Sequence, residues 1–328
     1  MEITEYSRRI IALCVSTIMA FSALAQTAKV GGIYYTFDKK SRQATVTQEK
    51  LRAGYKGNIV IPESVTYQGA KYQVTAIDES AFCGNNLLLS VKIPNTVVEI
   101  GGNAFLCCEK LVSITIPKSV TSITDNPLSG CIKLTKIVVE QGNSVYDSRD
   151  NCNAIIRTSD NELISGCAKT VLPETVTAIG KEAFSGISML TALTIPNSVK
   201  HIAEYAFSET GLTTLTIPES VTTISEGLFF ECKQLKTVTL PETLTKIDNV
   251  AFKGCSSLTA ITIPCNVTDF GTTIFDSCPR LSTITNHGKT PPAFTFTQSH
   301  PITLFVRKGC KDQYSSEDWP NFTIKEME

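Results

Sequence analysis

The residues best able to do chemistry here are three histidines and twelve cysteines, and their spacing argues against each chemistry in turn. A hydrolase needs a nucleophile beside a general base, and a thiol nucleophile needs partial exposure and a histidine partner. His201 follows Lys200 in an outward strand position, His287 stands where a corner proline is due, and His300 precedes Pro301. Cys107 and Cys310 fall outside any regular column, but neither has a histidine near it in register. There is no GxSxG elbow, HExxH helix or glycine-rich phosphate loop. Nor is there a CxxC pair or Cys/His cluster of the kind zinc requires. Glu219 and Glu242 hold the same place beside successive prolines, where stacked like charges suit a solvated corner. No catalytic residue, metal or cofactor is expected.

The cysteines are regular because the chain is. Cys108 and Cys131 are separated by the interval that also separates Cys232, Cys255 and Cys278, about 23 residues. A phrase repeats at the same period: IPNTVVEIGGNAF from Ile93, LPETVTAIGKEAF from Leu172, IPNSVKHIAEYAF from Ile195 and IPESVTTISEGLF from Ile217. It is marked by Pro62, Pro94, Pro117, Pro173, Pro196, Pro218, Pro241 and Pro264, and all but two of the steps between them keep the period to within one residue. A fixed period in the low twenties predicts a solenoid, in which equivalent residues stack into columns. The thiol column then reads as small buried side chains rather than reagents.

Each coil opens on a strand such as LVSITIP from Leu111 or LTALTIP from Leu190, whose apolar first, fourth and sixth positions turn inward. Proline follows as a corner, because it cannot donate to an interior ladder. A short second strand then leads to an Ala-Phe helical turn. Phe82, Phe105, Phe184, Phe207, Phe229, Phe252 and Phe275 keep phase, with Leu128 substituting once, so a ring column is expected in the core.

The two long steps, Pro62 to Pro94 and Pro117 to Pro173, mark insertions. Residues 66–74, TYQGAKYQV, alternate about a glycine, and residues 150–168 hold NCNAIIRTSDNELISGC, two short strands about Ser159 to Asn161; both read as hairpins. Cys152 and Cys167 flank the second hairpin symmetrically. A disulfide across it and two separate thiols both remain open, since twelve cysteines in an exported chain ordinarily suggest bridges.

Export is expected from residues 1–25, where Arg8 and Arg9 precede an apolar run ending in Ala23-Leu24-Ala25. That run is about fifteen residues, shorter than the roughly twenty needed to span a bilayer. No later segment is apolar enough to span, so the mature chain is read without a transmembrane helix. A net charge of -1 with interspersed signs gives no attraction to nucleic acid or anionic lipid.

The combination LxxIxIPxSVxxIxxxAFxxCxxL, over most of residues 58 to 287, resembles the BspA-like class of bacterial surface and secreted leucine-rich repeat proteins. The flanks resemble that family's caps: GIYYTFDKKSRQATVT its N-terminal β cap, and ITLFVRKGCKDQYSSEDWPNF its closing strand and helix, where Trp319 is expected to pack. The expected organisation is a signal peptide (1–25), a β cap (26–57), one continuous β-rich solenoid (58–287) and a C-terminal strand-helix cap (288–328).

The resemblance implies a displayed or secreted module, members of the class being linked to adhesion to host matrix proteins or other cells. The outward strand positions form the expected concave binding face: Ser90, Lys92, Ser113, Thr115, Thr194, Thr214, Thr216, Thr237, Thr239, Thr262 and Thr283. The face is hydroxyl-rich, almost uncharged, and lacks the aromatic and arginine anchors of tight interfaces. Protein binding by a monomeric, non-enzymatic solenoid is the leading expectation. A carbohydrate-binding or polysaccharide-processing role and a passive spacer are the alternatives.

Overall fold

The computed structural model describes residues 26–48, 54–292, 300–314 and 321–328, so the segment read as a signal peptide and Trp319 lie outside the described residues. The fold separates into two compact units, residues 1–170 and 171–328.

In unit 1 the strands are β1 (Gln26–Val30), β2 (Ile33–Asp38), β3 (Gln43–Val46), β4 (Gly57–Val60), β5 (Ser64–Tyr67), β6 (Ala70–Ile77) and β7 (Leu88–Lys92). They continue with β8 (Glu99–Ile100), β9 (Ser113–Ile116), β10 (Ser122–Ile123), β11 (Lys136–Val139), β12 (Tyr146–Asp147), β13 (Ile155–Arg157) and β14 (Glu162–Ser165). β1, β2 and β3 pair antiparallel, then β3, β6, β8 and β10 run parallel, one coil to the next. β5 folds back on β6 through Gln68 and Gly69, both with positive φ, the two-residue turn whose twist suits a hairpin. β13 and β14 form a second antiparallel pair, closed by Arg157 on Asp160 and Glu162.

Unit 2 holds β15 (Ala178–Ile179), β16 (His201–Ile202), β17 (Thr214–Thr216), β18 (Thr223–Ile224), β19 (Thr237–Thr239) and β20 (Lys246–Ile247). It closes with β21 (Ala260–Ile263), β22 (Asp269–Phe270), β23 (Thr283–Asn286), β24 (Ile302–Val306) and β25 (Phe322–Glu326). Its strands pair in parallel, as coil-on-coil stacking demands.

From Pro94 onward each corner proline closes a β-turn with its carbonyl, which accepts the N–H three residues on: Val97 to Pro94, Val199 to Pro196, Leu244 to Pro241. Glu140 keeps this turn where proline is missing, accepting Asn143 N–H, and its own N–H donates to Ile116. At the corners of Pro117 and Pro241 the hydroxyl two residues on ties coils together. Ser119 Oγ donates to Val97 O at 2.7 Å and Thr243 Oγ1 to Glu219 O at 2.6 Å.

The Ala-Phe turn is not helical, which corrects the sequence expectation. Left-handed residues bracket it, Tyr205 and Glu209 about Phe207, and Val250 and Gly254 about Phe252. Such a backbone is costly for Val or Tyr. It persists because alternate amides of the turn bond to the neighbouring coil, Phe184 N–H to Ala206 O at 2.9 Å and Phe229 N–H to Ala251 O at 2.8 Å, while those between them close short turns within their own coil, such as Ser185 N–H to Glu182 O at 2.8 Å.

The rings form the core. In unit 2, centroids from Phe184 through Phe207, Phe229 and Phe252 to Phe275 lie 5.2 to 6.0 Å apart, all stacked. In unit 1, Phe82 and Phe105 stack at 5.1 Å, Tyr55 covers Phe82 at 4.8 Å, and Leu128 holds the same level fully buried.

The buried thiols do more than fill space. Each column sulfur points at the phenylalanine carbonyl of the preceding coil: Cys108 to Phe82, Cys131 to Phe105, Cys232 to Phe207, Cys255 to Phe229 and Cys278 to Phe252, at 3.0 to 3.2 Å. Burial pushes the Cys232 and Cys278 thiols up to about 12. Cys152 and Cys167 are two free buried thiols, not a bridge; Cys167 Sγ turns to Asn153 O at 3.4 Å. Since the thiolate is the reactive form, iodoacetamide at pH 8 is expected to label exposed Cys265 in the native protein and to spare the five column thiols until denaturant is added. Peptide mass mapping reads the result, and native labelling of Cys232 would contradict the buried column.

Candidate functional site

The first strands of the coils present their alternate residues outward in aligned rows. In unit 1, Ser90 lies across from Asn58 and Lys92 from Val60, while Ser113 faces Lys136 and Thr115 faces Val138. Ser90 Oγ donates to Asn58 Oδ1 at 2.7 Å, and Val60 is 63% exposed. In unit 2, Thr214 pairs with Thr237 and Thr216 with Thr239, then Ala260 with Thr283 and Thr262 with Thr285. Thr194 is exposed on a segment that forms no strand.

The hydroxyls fall into two populations. Those of Ser119, Ser220 and Thr243 past their proline corners are committed to carbonyls, as are Thr245 and Ser225 beside the second strands. Those of Thr214, Thr216, Thr237, Thr239 and Thr262 hydrogen-bond to no protein group among the described residues. Such a row can donate and accept toward a ligand with no internal bond to break.

The threonine rows do not stop at residue 287. β24 and β25 join the same parallel sheet, so Thr283 is followed by Thr303 and Thr323, and Thr285 by Phe305 and Lys325. ITLFV carries the same alternation as the repeat strands, but without a following proline it does not announce itself as part of the face.

Unit 1 also holds a cleft of about 400 Å³ on its second-strand side. Thr36, Thr45, Ala76 and Glu99 are successive outward partners across β2, β3, β6 and β8. Asp78, Glu79 and Asp125 line the turns beside them, and Gly101 and Gly102 keep the cleft open. A side chain at Gly101 would place Cβ 2.4 Å from the Glu79 amide. The sequence hides this grouping because its carboxylates occupy three different positions of the repeat.

Among the described residues, none of the four carboxylates is ion-paired, no aromatic side chain lines the cleft, and no three His, Cys, Asp or Glu side chains converge as a metal site. The potential favours hydroxyl or cationic donors.

Burial raises the Asp78 carboxyl above its ordinary value, against the lowering effect of its bonds from Glu79 N–H (3.0 Å) and Thr47 Oγ1 (3.4 Å). The folded state therefore holds this proton more tightly than the unfolded chain. Its contribution to stability is present at acid pH and is lost as pH rises through the unfolded and then the folded value. Asp78→Asn is expected to raise the Tm at pH 7, with the gain disappearing below about pH 3, where the aspartate is protonated in both states. Thermal melts across pH check it, and a gain that persists at pH 3 would contradict the assignment.

The BspA type leucine rich repeat region matches in six copies over residues 58–156 and 164–282, more than half of the sequence. The chain belongs to the BspA-type leucine-rich repeat family. Among solved structures, the pneumococcal vaccine antigen PcpA is similar in fold, with a TM-score of 0.60 at 16% identity, covering 94% of this chain and all of that one. A leucine rich cell surface protein of Faecalibacterium prausnitzii A2-165 is 27% identical over 87% of this chain, with a TM-score of 0.40, and this chain covers 65% of its length. A leucine-rich repeat protein of Bacteroides ovatus is 22% identical over 92% of this chain and all of its own, with a TM-score of 0.34. A comparison with curated proteins returns no match. Among the described residues of this BspA-type protein, no helix is long and apolar enough to cross a membrane.

Proposed function

We propose that this BspA-type protein is a non-enzymatic interaction protein, exported as a monomer to the cell surface or medium, that binds protein ligands through the outward face of its first strands. One observation carries the reading: the face threonines stand in register with exposed hydroxyls left unbonded, while those of Ser119, Ser220, Ser225, Thr243 and Thr245 are used between coils. Aligned strands supply a rigid surface whose side chains vary without disturbing the core. The family and the F. prausnitzii relative described as a cell surface protein support surface display.

The purified protein is to be screened against matrix and cell-surface proteins by surface plasmon resonance. The double variant Thr237→Lys, Thr239→Lys is expected to bind at least tenfold more weakly with an unchanged circular dichroism spectrum. Equal affinity would move binding off this face, and no binding by the wild type would favour a spacer.

The acidic cleft of unit 1 favours a second reading, a glycan-handling site, because carboxylates receive sugar hydroxyls. Glycan turnover followed in the same screen and abolished in Glu99→Gln would replace the non-enzymatic reading.

A further inference from the structure

The face of unit 2 looks uniformly neutral until its last two strands. Across β21, β23, β24 and β25 one outward row reads Ala260, Thr283, Thr303, Thr323, and the next reads Thr262, Thr285, Phe305, Lys325. Ile302, Leu304 and Val306 fill the core side of β24 with 1% exposure or less, so Phe305 stands on the opposite side, half-buried among threonines. A ring there is not needed by the core.

Two cations bracket it. Lys325 is its direct partner on β25, one strand spacing away, about 4.8 Å. Arg307 is exposed just past the end of β24, at the next outward position, about 6.6 Å along the chain. Neither is ion-paired among the described residues. The nearby carboxylate is already engaged: Glu326 Oε1 accepts the Gly309 amide at 2.8 Å and the Lys311 amide at 3.4 Å, holding the turn that Cys310 N–H closes on Arg307 O. Glu326 thus fixes the backbone beneath the two cations without neutralising them. β24 is bonded on both edges, and Met327 N–H to Val306 O extends the ladder beneath Arg307.

We propose that Phe305, Arg307 and Lys325 anchor the binding face, and that they take an acidic segment of a partner protein carrying an apolar side chain next to its carboxylates. Phe305 packs the apolar side chain; the guanidinium and ammonium receive the carboxylates; the threonine rows bond to the segment's backbone where it continues across the sheet. Aromatic and arginine side chains carry most of the energy at protein interfaces, and charge complementarity selects the partner's sign. The inference rests on the protein-binding reading and supplies the anchor that the threonine rows lack.

The test uses the purified protein and a fluorescein-labelled peptide of alternating Asp and Leu, with a Lys-and-Leu peptide and fluorescein-labelled heparin as comparison probes, read by anisotropy at two salt concentrations. The acidic peptide is expected to bind, more weakly at high salt, and the basic one not. Phe305→Thr, which continues the threonine row, is expected to weaken binding about tenfold, and Arg307→Glu with Lys325→Glu to abolish it, with unchanged thermal melts. Equal peptide affinity in all three proteins would overturn the anchor. So would heparin binding that these variants abolish while the peptide fails to bind. If Thr237→Lys, Thr239→Lys disrupts matrix-protein binding and the anchor variants do not, the protein-binding reading stands and only the anchor falls. If neither set matters, both fall.

Discussion

Phe207→Ala is expected to lower the unfolding free energy by about 3 to 5 kcal/mol, the cost of emptying a fully buried aromatic site. Phe207 is 0% exposed and stacks on both sides, on Phe184 at 5.7 Å and Phe229 at 6.0 Å. The cavity is held open, because rings above and below are fixed by their own coils and the turn backbone is bonded across coils. Phe207→Leu is expected to lose less, since Leu128 fills the equivalent level in unit 1. Urea denaturation followed by circular dichroism separates the outcomes. A Phe207→Ala midpoint equal to wild type would mean that the column does not carry the core.

Gly211→Ala is expected to cost about 3 kcal/mol, the upper part of the usual range for overpacking. Its Cβ would fall 2.1 Å from Ser188 O, a backbone atom that cannot rotate away. The reason lies in the sequence step: Leu190 to Leu212 is one residue shorter than Leu212 to Leu235 or Leu235 to Leu258. The missing residue falls between Phe207 and Leu212, so the chain cuts the corner against the coil before it, and only glycine fits. Gln234→Ala, at the equivalent exposed place in a full-length coil, is expected to change stability by under about 0.5 kcal/mol. If Gly211→Ala melts with wild type, the shortened coil is looser than it stands here.

The repeat coil is legible in the sequence because its signal is redundant. Leu212, Leu215, Ile217, Val221, Ile224, Phe229 and Cys232 are all buried, and their counterparts recur from coil to coil at matching offsets, so a substitution such as Leu128 for Phe does not erase the phase. The turn about Phe207 is less legible. Its letters, Ala206 and Phe207, suit a helix, whereas the bonds that set the backbone come from the next coil. The column cysteines read as buried but not as donors, because their acceptor is a backbone carbonyl of the coil before, which no residue letter marks.

The functional surface is harder to read for the same reason. Thr216, Thr237 and Ser119 are alike as letters; only coil-to-coil distances separate a hydroxyl already donating to a carbonyl from one left open. Asp78, Glu79, Glu99 and Asp125 are spread over three repeat positions, only Glu79 and Asp125 sharing one, and stacking brings them to one cleft. Phe305 and Lys325 sit in a segment without the repeat's proline, and parallel pairing places them at the end of the threonine rows.

The coil, its period, its core columns and the family are therefore written in the order of residues alone, because burial repeats with the chain and leaves a periodic record. Which polar groups are spent on holding coils together, and which are left for a partner, is settled only by stacking. Hydrogen bonds between residues a full coil apart depend on distances that no single coil encodes.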